Sequence, residues 1–429
     1  MARKMKDSGI EWIGEIPEGW TKNKVIRLFD TIGSGTTPKN ITSDFPVVNW
    51  IQSGDITGSF MPACKNVISA NLLSQYSALK VYPAPFIIIA MYGASVGNAS
   101  ISLIDGCVNQ ACCVLSSPSC NLHYAFYVIK SAQSYLVRKA VGGGQPNISQ
   151  ETIKQLWLPL PPLSTQDIIV RNLDATCSKI DDLLSSVHAS IEEYKKFKQA
   201  VITQAVTKGV RGERERKDSG VDWIGKIPKE WVIQKIKSIS SRINVGVVIR
   251  PSEYFDENGT VPFLRGINVK EYLISSDNMV YINESSNRIL SKSQVHTDDI
   301  LIVRDGSIGT SCVVPAEFDG ANVVSMVIAT PSISCDSRFI CYSLNSDVGK
   351  TQFTLTKIGS ALTHTSVSAV SDIIVAVPSC AEQKEIANYL DAKCAEIDML
   401  IAKKEQLVKE LESYKKSLIY EVVTGKREV

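Results

Sequence analysis

A fifteen-residue segment near the start of this chain occurs twice, and that repeat limits the possible folds more than any other feature. Lys6-Asp7-Ser8-Gly9-Ile10-Glu11-Trp12-Ile13-Gly14-Glu15-Ile16-Pro17-Glu18-Gly19-Trp20 returns as Lys217-Asp218-Ser219-Gly220-Val221-Asp222-Trp223-Ile224-Gly225-Lys226-Ile227-Pro228-Lys229-Glu230-Trp231, with ten of the fifteen positions identical. Both tryptophans of the segment recur in a chain that has only six, so duplication explains the match better than chance. The ends of the two halves also agree. Pro161, Gln166, Leu173-Asp174, Cys177, Ile180-Asp181, Ile202 and Val206-Thr207 pair with Pro378, Gln383, Leu390-Asp391, Cys394, Ile397-Asp398, Ile419 and Val423-Thr424 at a constant offset of 217 residues, against 211 at the starts. The six extra residues of the second half therefore lie between, where residues 21 to 150 and 232 to 365 share only fragments such as Ala94-Ser95-Val96-Gly97 and Gly306-Ser307-Ile308-Gly309. One frame has been kept while two inserts diverged.

The matching tails read as long helices. From Thr165 to Val206 apolar residues fall at Leu173, Cys177, Ile180, Leu184, Val187, Ile191, Tyr194, Val201 and Ala205, in steps of three, four or seven, which is a heptad seam. The second seam runs Leu390, Cys394, Ile397, Ile401, Val408, Leu411, Leu418 and Val422, with Lys404 and Lys415 interrupting it. Prolines precede both segments, at Pro159, Pro161 and Pro162 and at Pro378, and Ser164 and Ser379 are the expected N-caps. A helix of about 42 residues is ~60 Å long and must find a partner. Pairing the two seams antiparallel relates the halves by an approximate two-fold axis. The variable regions carry short β-branched runs, Phe86–Ala90 and Ile300–Val303, each leading to a Gly-containing turn. The expected fold class is α+β: two globular α/β domains joined by two long antiparallel coiled-coil helices in an internal pseudo-two-fold repeat. The boundaries expected are a first globule over 1–160, a helical spacer over 161–210, a second globule over 211–376 and a closing helical spacer over 377–429.

At 429 residues, 44% hydrophobic and 21% charged, the chain has the balance of a folded globular protein. No signal peptide or membrane-length apolar run is visible, so the cytoplasm is the expected location and no membrane partner is expected. The eleven cysteines are scattered without any Cys-x-x-Cys spacing, and read as reduced, small hydrophobic residues.

Chemistry is poorly represented. Asp30-Thr31-Ile32-Gly33-Ser34-Gly35-Thr36-Thr37 resembles the glycine-rich S-adenosylmethionine loop of one class of DNA methyltransferases, but the base-gripping Asn/Asp-Pro-Pro-aromatic loop is missing, because Pro161-Pro162 is followed by Leu163. The four histidines, at 123, 188, 296 and 364, have no metal-ligand spacing, and neither a phosphate-binding loop nor a hydrolase elbow is present. No catalytic, cofactor-binding or metal residues are assigned. The chain reads as a binder and not as an enzyme.

Local charge points to nucleic acid. Residues 21 to 150 hold nine Lys or Arg against four Asp and no Glu, whereas residues 232 to 375 hold twelve basic against fourteen acidic residues. The candidate DNA contacts of the first globule are Thr36, Lys39, Gln52, Tyr92, Asn98, Gln110, Gln145 and Asn147. Those of the second are Arg250, Arg265, Asn268, Lys270, Arg304 and His364.

The repeated Gly-Ile/Val-x-Trp-Ile-Gly-x-Ile-Pro-x-x-Trp segment, Gly142-Gly143-Gly144-Gln145-Pro146-Asn147-Ile148-Ser149 with its counterpart Gly359-Ser360-Ala361-Leu362-Thr363-His364-Thr365-Ser366, Pro159-Leu160-Pro161 separated from Gln166 by four residues, and Val206-Thr207-Lys208-Gly209 together resemble the specificity subunits of type I restriction-modification enzymes. The resemblance spans essentially the whole chain. It implies two target-recognition domains, each reading one half of a bipartite site in double-stranded DNA, and helices that dock two modification subunits. Those partners would hold S-adenosylmethionine and methylate an adenine in each half-site. Restriction subunits that translocate and cleave would bring ATP and magnesium, and no cofactor is implied for this chain. The rival readings are a non-catalytic coiled-coil bridging protein and a self-contained DNA methyltransferase.

Overall fold

A computed structural model describes residues 3–142, 144–357 and 364–429, and its chain divides into two compact units. Unit 1 takes Met1–Val187 and Gln406–Val429, and unit 2 takes His188–Glu405. Gly143 and Gly359, Ser360, Ala361, Leu362 and Thr363, which belong to the glycine-rich motif and its counterpart, lie outside the described residues.

Unit 1 is built on a five-stranded sheet in the order Phe29–Gly33, Cys112–Pro118, Phe86–Ala90, Ala99–Ser102, Phe60–Met61. The run Phe86–Ala90 is buried on both faces, which is why it reads as unbroken apolar sequence. Ile87 and Ile89 join one core with the helix Leu122–Ser131, while Phe86, Ile88 and Ala90 join a second with Val108, Cys112 and Tyr82. A three-stranded sheet, Cys107–Val108, Val47–Ile51, Asn66–Ser69, completes the unit, its first two strands parallel.

Unit 2 repeats this plan with a four-stranded sheet, Ser240–Val245, Met326–Pro331, Ile300–Val303, Ser311–Val313, and a three-stranded one, Val280–Ile282, Val261–Leu264, Asn322–Val323, the last pair parallel. Ile300 and Ile302 face one core and Leu301 and Val303 another. The matching frame extends to one close approach. A Cβ on Gly35 would fall 1.6 Å from the Val108 carbonyl oxygen, and one on Gly246 would fall 2.3 Å from that of Val323, so only glycine lets either loop cross its parallel strand. The six extra residues accumulate stepwise: Gly35 matches Gly246, Gln52 matches Arg265, Asn121 matches Asp336, and Asn147 matches His364.

Two long helices, Leu163–Lys208 and Cys380–Val423, contribute to both units. In unit 1 the start of the first helix, through Leu173, Cys177 and Ile180, shares a core with Leu418, Ile419, Val422 and Val423 at the end of the second; Leu184 and Leu411 pack against that core. In unit 2 the end of the first, through Ile202, Ala205 and Val206, shares a core with Ile386, Ala387, Leu390 and Cys394 at the start of the second. The helices are therefore antiparallel. Val187, Ile191, Ile397 and Val408 are buried, and Ile401 is half-buried. The expected seam needs one shift. Val201 is only half-buried, and Ile202 takes the buried position beside it.

Neither lysine breaks the second seam. Lys415 donates to both Asp181 carboxylate oxygens, at 2.5 and 2.6 Å, and Lys404 lies over the Tyr194 ring, 5.5 Å from its centroid. The caps differ between the helices. Ser379 Oγ accepts the Glu382 amide as expected of an N-cap, but Ser164 lies inside the first turn, where the Pro162 carbonyl accepts the Thr165 and Gln166 amides. Gln166 and Gln383 act alike: each donates to the carbonyl of Pro161 or Pro378 and accepts the amide of the helix-capping Asn121 or Asp336, both at 2.9 Å. Buried glutamines with both amide ends satisfied fix the globule onto its helix in each unit.

Candidate nucleic-acid interface

In unit 1 most of the candidate contacts are strung along one rim by main-chain hydrogen bonds. The strand Val47–Ile51 ends at Gln52, and the Ile51 carbonyl accepts the Asn109 amide at 3.1 Å, so the turn carrying Asn109 and Gln110 sits beside Gln52. The next residue, Ala111, accepts the Met91 amide at 2.8 Å, and Met91 accepts that of Ile148 at 2.9 Å, so Tyr92 and Asn147 follow along the same edge as a bridged pair. Thr37 donates to Gln110 Oε1 at 2.6 Å and draws the half-buried Thr36 in. Gln145 and Asn147 are exposed, and Tyr92 is 45% exposed. An aromatic ring with polar amides around it can offer both a flat face and paired donors and acceptors to a base edge.

Asn98 and Lys39 contribute differently. Asn98 is half-buried and its Oδ1 accepts from Gln133 at 2.5 Å, which ties the Gly93–Asn98 turn to the helix Gln133–Arg138. The Lys39 amide donates to Tyr76 Oη while the residue as a whole stays exposed. Cys107, Cys112, Tyr82 and Asp55 are all buried here. Burial pushes the Cys107 thiol up to about 11 and Cys112 to about 12, and it also raises the Tyr82 phenol.

Unit 2 has the equivalent rim. Leu264 accepts the Val324 amide at 2.8 Å, which places Ser325 beside Arg265, and Ser325 Oγ donates to Asp305 Oδ2 at 3.2 Å. Asp305 is bridged to His364, and Arg304 Nε donates to the Thr365 carbonyl at 3.0 Å. Arg250 and Lys270 stand on separate surface turns; Arg250 pairs with Glu253 at 3.2 Å, and Lys270 belongs to the hairpin Val269–Lys270 and Leu273–Ile274. Asn268 does not belong among the contacts. It is fully buried, and its amide donates to the Ser275 and Asp277 carbonyls while accepting the Arg265 amide, so it shapes the turn and cannot reach a ligand.

Residues absent from the candidate set also stand here, notably Thr37, Asn66, Asp305 and Ser325. No composition or spacing signal marks them; each matters through a neighbour that only the fold supplies. The glycines of the Gly33-Ser34-Gly35 loop face protein atoms, since added Cβ atoms would meet Tyr82 Oη and the Val108 carbonyl. Among the described residues no group of three or more His, Cys, Asp or Glu side chains could hold a metal ion, and no helix is long and apolar enough to cross a membrane.

Comparison with known proteins gives a consistent result. The family described as type I restriction modification DNA specificity domain matches this chain twice, over residues 17–193 and 228–410. The type I restriction enzyme MjaVIII specificity subunit of Methanocaldococcus jannaschii is 27% identical over 309 residues, covering 71% of this chain and 69% of its own. The putative MjaX specificity subunit of the same organism is 24% identical and covers 96% of this chain and 95% of its own. The EcoBI specificity subunit of Escherichia coli is 23% identical, covering 84% and 78%. A solved chain from work on complex assembly and conformational transition of the type I R-M system superimposes with a TM-score of 0.72 at 14% identity, covering 95% of this chain and 98% of that one. The HsdS subunit from Thermoanaerobacter tengcongensis gives a TM-score of 0.50 at 15% identity, covering 96% and 98%.

Proposed function

The chain belongs to the type I restriction-modification DNA specificity family, and from that premise we propose that its two globular domains each read one half of a bipartite site in double-stranded DNA. The observation that carries this reading is the repeated rim: two copies of one backbone frame, from Gln52 to Asn147 and from Arg265 to His364, display different side chains. A duplicated frame with altered side chains suits two different half-sites better than it suits one binding partner.

In this reading the chain performs no chemistry itself. The long antiparallel helices dock two modification subunits, which hold S-adenosylmethionine and methylate an adenine in each half-site. Restriction subunits, with ATP and magnesium, join for cleavage. The complex works in the cytoplasm. The basic balance of residues 21 to 150 supports phosphate contact there, while the second domain, acidic overall, depends more on groups aimed at bases such as Arg265.

Exchanging residues 21 to 150 for the equivalent region of another family member tests the reading. Methylome sequencing should show one half of the recognised sequence changed and the other retained. A change in both halves would reject independent readers.

A further inference from the structure

Gln52 and Arg265 occupy the same place in the two domains, and each is held by a matching brace. Each follows the last residue of a strand, Ile51 or Leu264, and opens a single 3-10 turn. A side chain three residues on closes the turn: Asp55 Oδ2 accepts the Gln52 amide at 2.9 Å, and Asn268 Oδ1 accepts the Arg265 amide at 3.1 Å. Both closing residues are buried, so the backbone at each reader is fixed from beneath. The loop that follows then returns an asparagine to the reader itself. Asn66 Nδ2 donates to Gln52 Oε1 at 2.9 Å, and Arg265 Nη2 donates to the Asn278 carbonyl.

What each brace leaves unused differs. With one lone pair of Oε1 taken by Asn66, Gln52 keeps a second acceptor position and both Nε2 hydrogens, an adjacent acceptor and donor that match adenine N6–H and N7. With one Nη2 hydrogen taken by Asn278, Arg265 keeps three terminal donors, enough for two parallel bonds to guanine O6 and N7. Both side chains are half-buried and held by one hydrogen bond at the polar end, and Arg265 Nε lies buried without a partner. We propose that Gln52 and Arg265 are equivalent base-reading residues, Gln52 taking an adenine in one half-site and Arg265 a guanine in the other. The inference rests on the family reading above and adds to it which residue reads which base.

The test maps methylated bases in cells that carry the full chain with its modification subunits. Arg265→Ala should relax a guanine at one position of one half-site, raising methylation at sites with other bases there by about tenfold to a hundredfold relative to the original site. Gln52→Arg should exchange an adenine for a guanine at one position of the other half-site. Arg265→Gln, which keeps a hydrogen-bonding side chain in the brace, guards against a folding defect and should convert that guanine to adenine. An unchanged motif in any of these variants, in a complex with the native melting temperature, would overturn the proposal, as would a change in both half-sites from one substitution. Should deletion of the chain leave the same motif methylated, the family reading itself fails, a result distinct from a reader that does not read.

Discussion

Lys198 Nζ lies 2.8 and 2.6 Å from the two carboxylate oxygens of Asp398. The residues 217 positions away, Lys415 and Asp181, make the same bidentate contact with the helices exchanged. Each lysine is mostly covered, at 20% and 15% side-chain exposure, while each aspartate is 55% exposed, so the ammonium is buried along its stem and neutralised at the edge of the seam. A position that reads as a flaw in a hydrophobic heptad is thus a register mark: with the helices slid by a turn, both ammonium groups would lose their carboxylate partners. The pair Tyr127–Asp174 and Tyr342–Asp391, at 2.6 and 2.8 Å, repeats the relationship closer to the globules.

Arg214 anchors the connection after the first helix. Its Nη2 donates to Glu382 at 2.6 Å, and the Glu382 side chain is 3% exposed, so the carboxylate depends on this partner; Arg211 approaches it only to 3.9 Å. Arg214→Ala should lower unfolding stability by about 3 kcal/mol by leaving a buried charge unpaired, and adding Glu382→Gln should recover part of that loss. Urea denaturation of the two variants checks both signs.

The braces under the two readers should not be interchangeable. Asp55 accepts two backbone amides, those of Gln52 and Lys65, whereas Asn268 accepts one amide and donates to two carbonyls. Asp55→Asn would turn an NH2 group toward the Lys65 amide, and Asn268→Asp would set a carboxylate against the Ser275 and Asp277 carbonyls. Each substitution should cost about 1–3 kcal/mol, the second more than the first because one oxygen of the buried charge would face two carbonyl acceptors. Thermal unfolding of the single variants gives the order.

Much of the architecture was legible because it is periodic or repeated. The seam showed in Leu173, Ile180, Leu390 and Ile397, and the buried strands showed in Phe86–Ala90 and Ile300–Val303, since burial on both faces leaves an unbroken apolar run. The rim was legible only as residue types. Asn268 looked as able to meet a base as Arg265, and nothing in their spacing says that one is fully buried and the other half-buried. Lys404 and Lys415 looked like interruptions because their partners, Tyr194 and Asp181, are more than two hundred residues away. Cap position at Ser164 failed for a local reason: the prolines before it let the helix begin two residues early, at Leu163 and not Thr165.

Buried thiols set an alkaline limit. Burial pushes Cys112, Cys113 and Cys312 to about 12, above the ordinary thiol range near 9. A raised folded-state value means that the folded chain keeps protons the unfolded chain releases, so the stabilisation is intact below about pH 9 and is lost as pH rises toward 12. Urea midpoints should fall steadily from pH 9 upward. Native-state alkylation at pH 8 should spare these three thiols and reach Cys64 and Cys335, which are partly exposed.

Residues 1 to 216 alone should assemble as a two-fold dimer, with a second copy of the first helix standing in for Cys380–Val423. Leu173, Ile180, Leu184, Val187, Ile191 and Val201 would then pack against the same seam of the other copy, running antiparallel across the axis. Lys198 is no obstacle. Because Asp181 is the counterpart of Asp398, each Lys198 would meet Asp181 of the other copy, and the bidentate contact would form twice. The weakness lies elsewhere: the counterparts of Leu418, Tyr420 and Val422 are Val201, Thr203 and Ala205, so the core that holds Trp12 against Tyr420 loses volume. The fragment should therefore dimerise at micromolar concentration, and Thr203→Tyr with Ala205→Val should tighten it. Lys198→Glu should weaken the dimer, and adding Asp181→Lys should restore it. Sedimentation reads these four steps, and with modification subunits added the fragment should methylate a palindrome built from the first half-site. A fragment that stays monomeric with the tightening substitutions in place, or that methylates a non-palindromic site, would show that the repeated sequence does not make the two helices interchangeable.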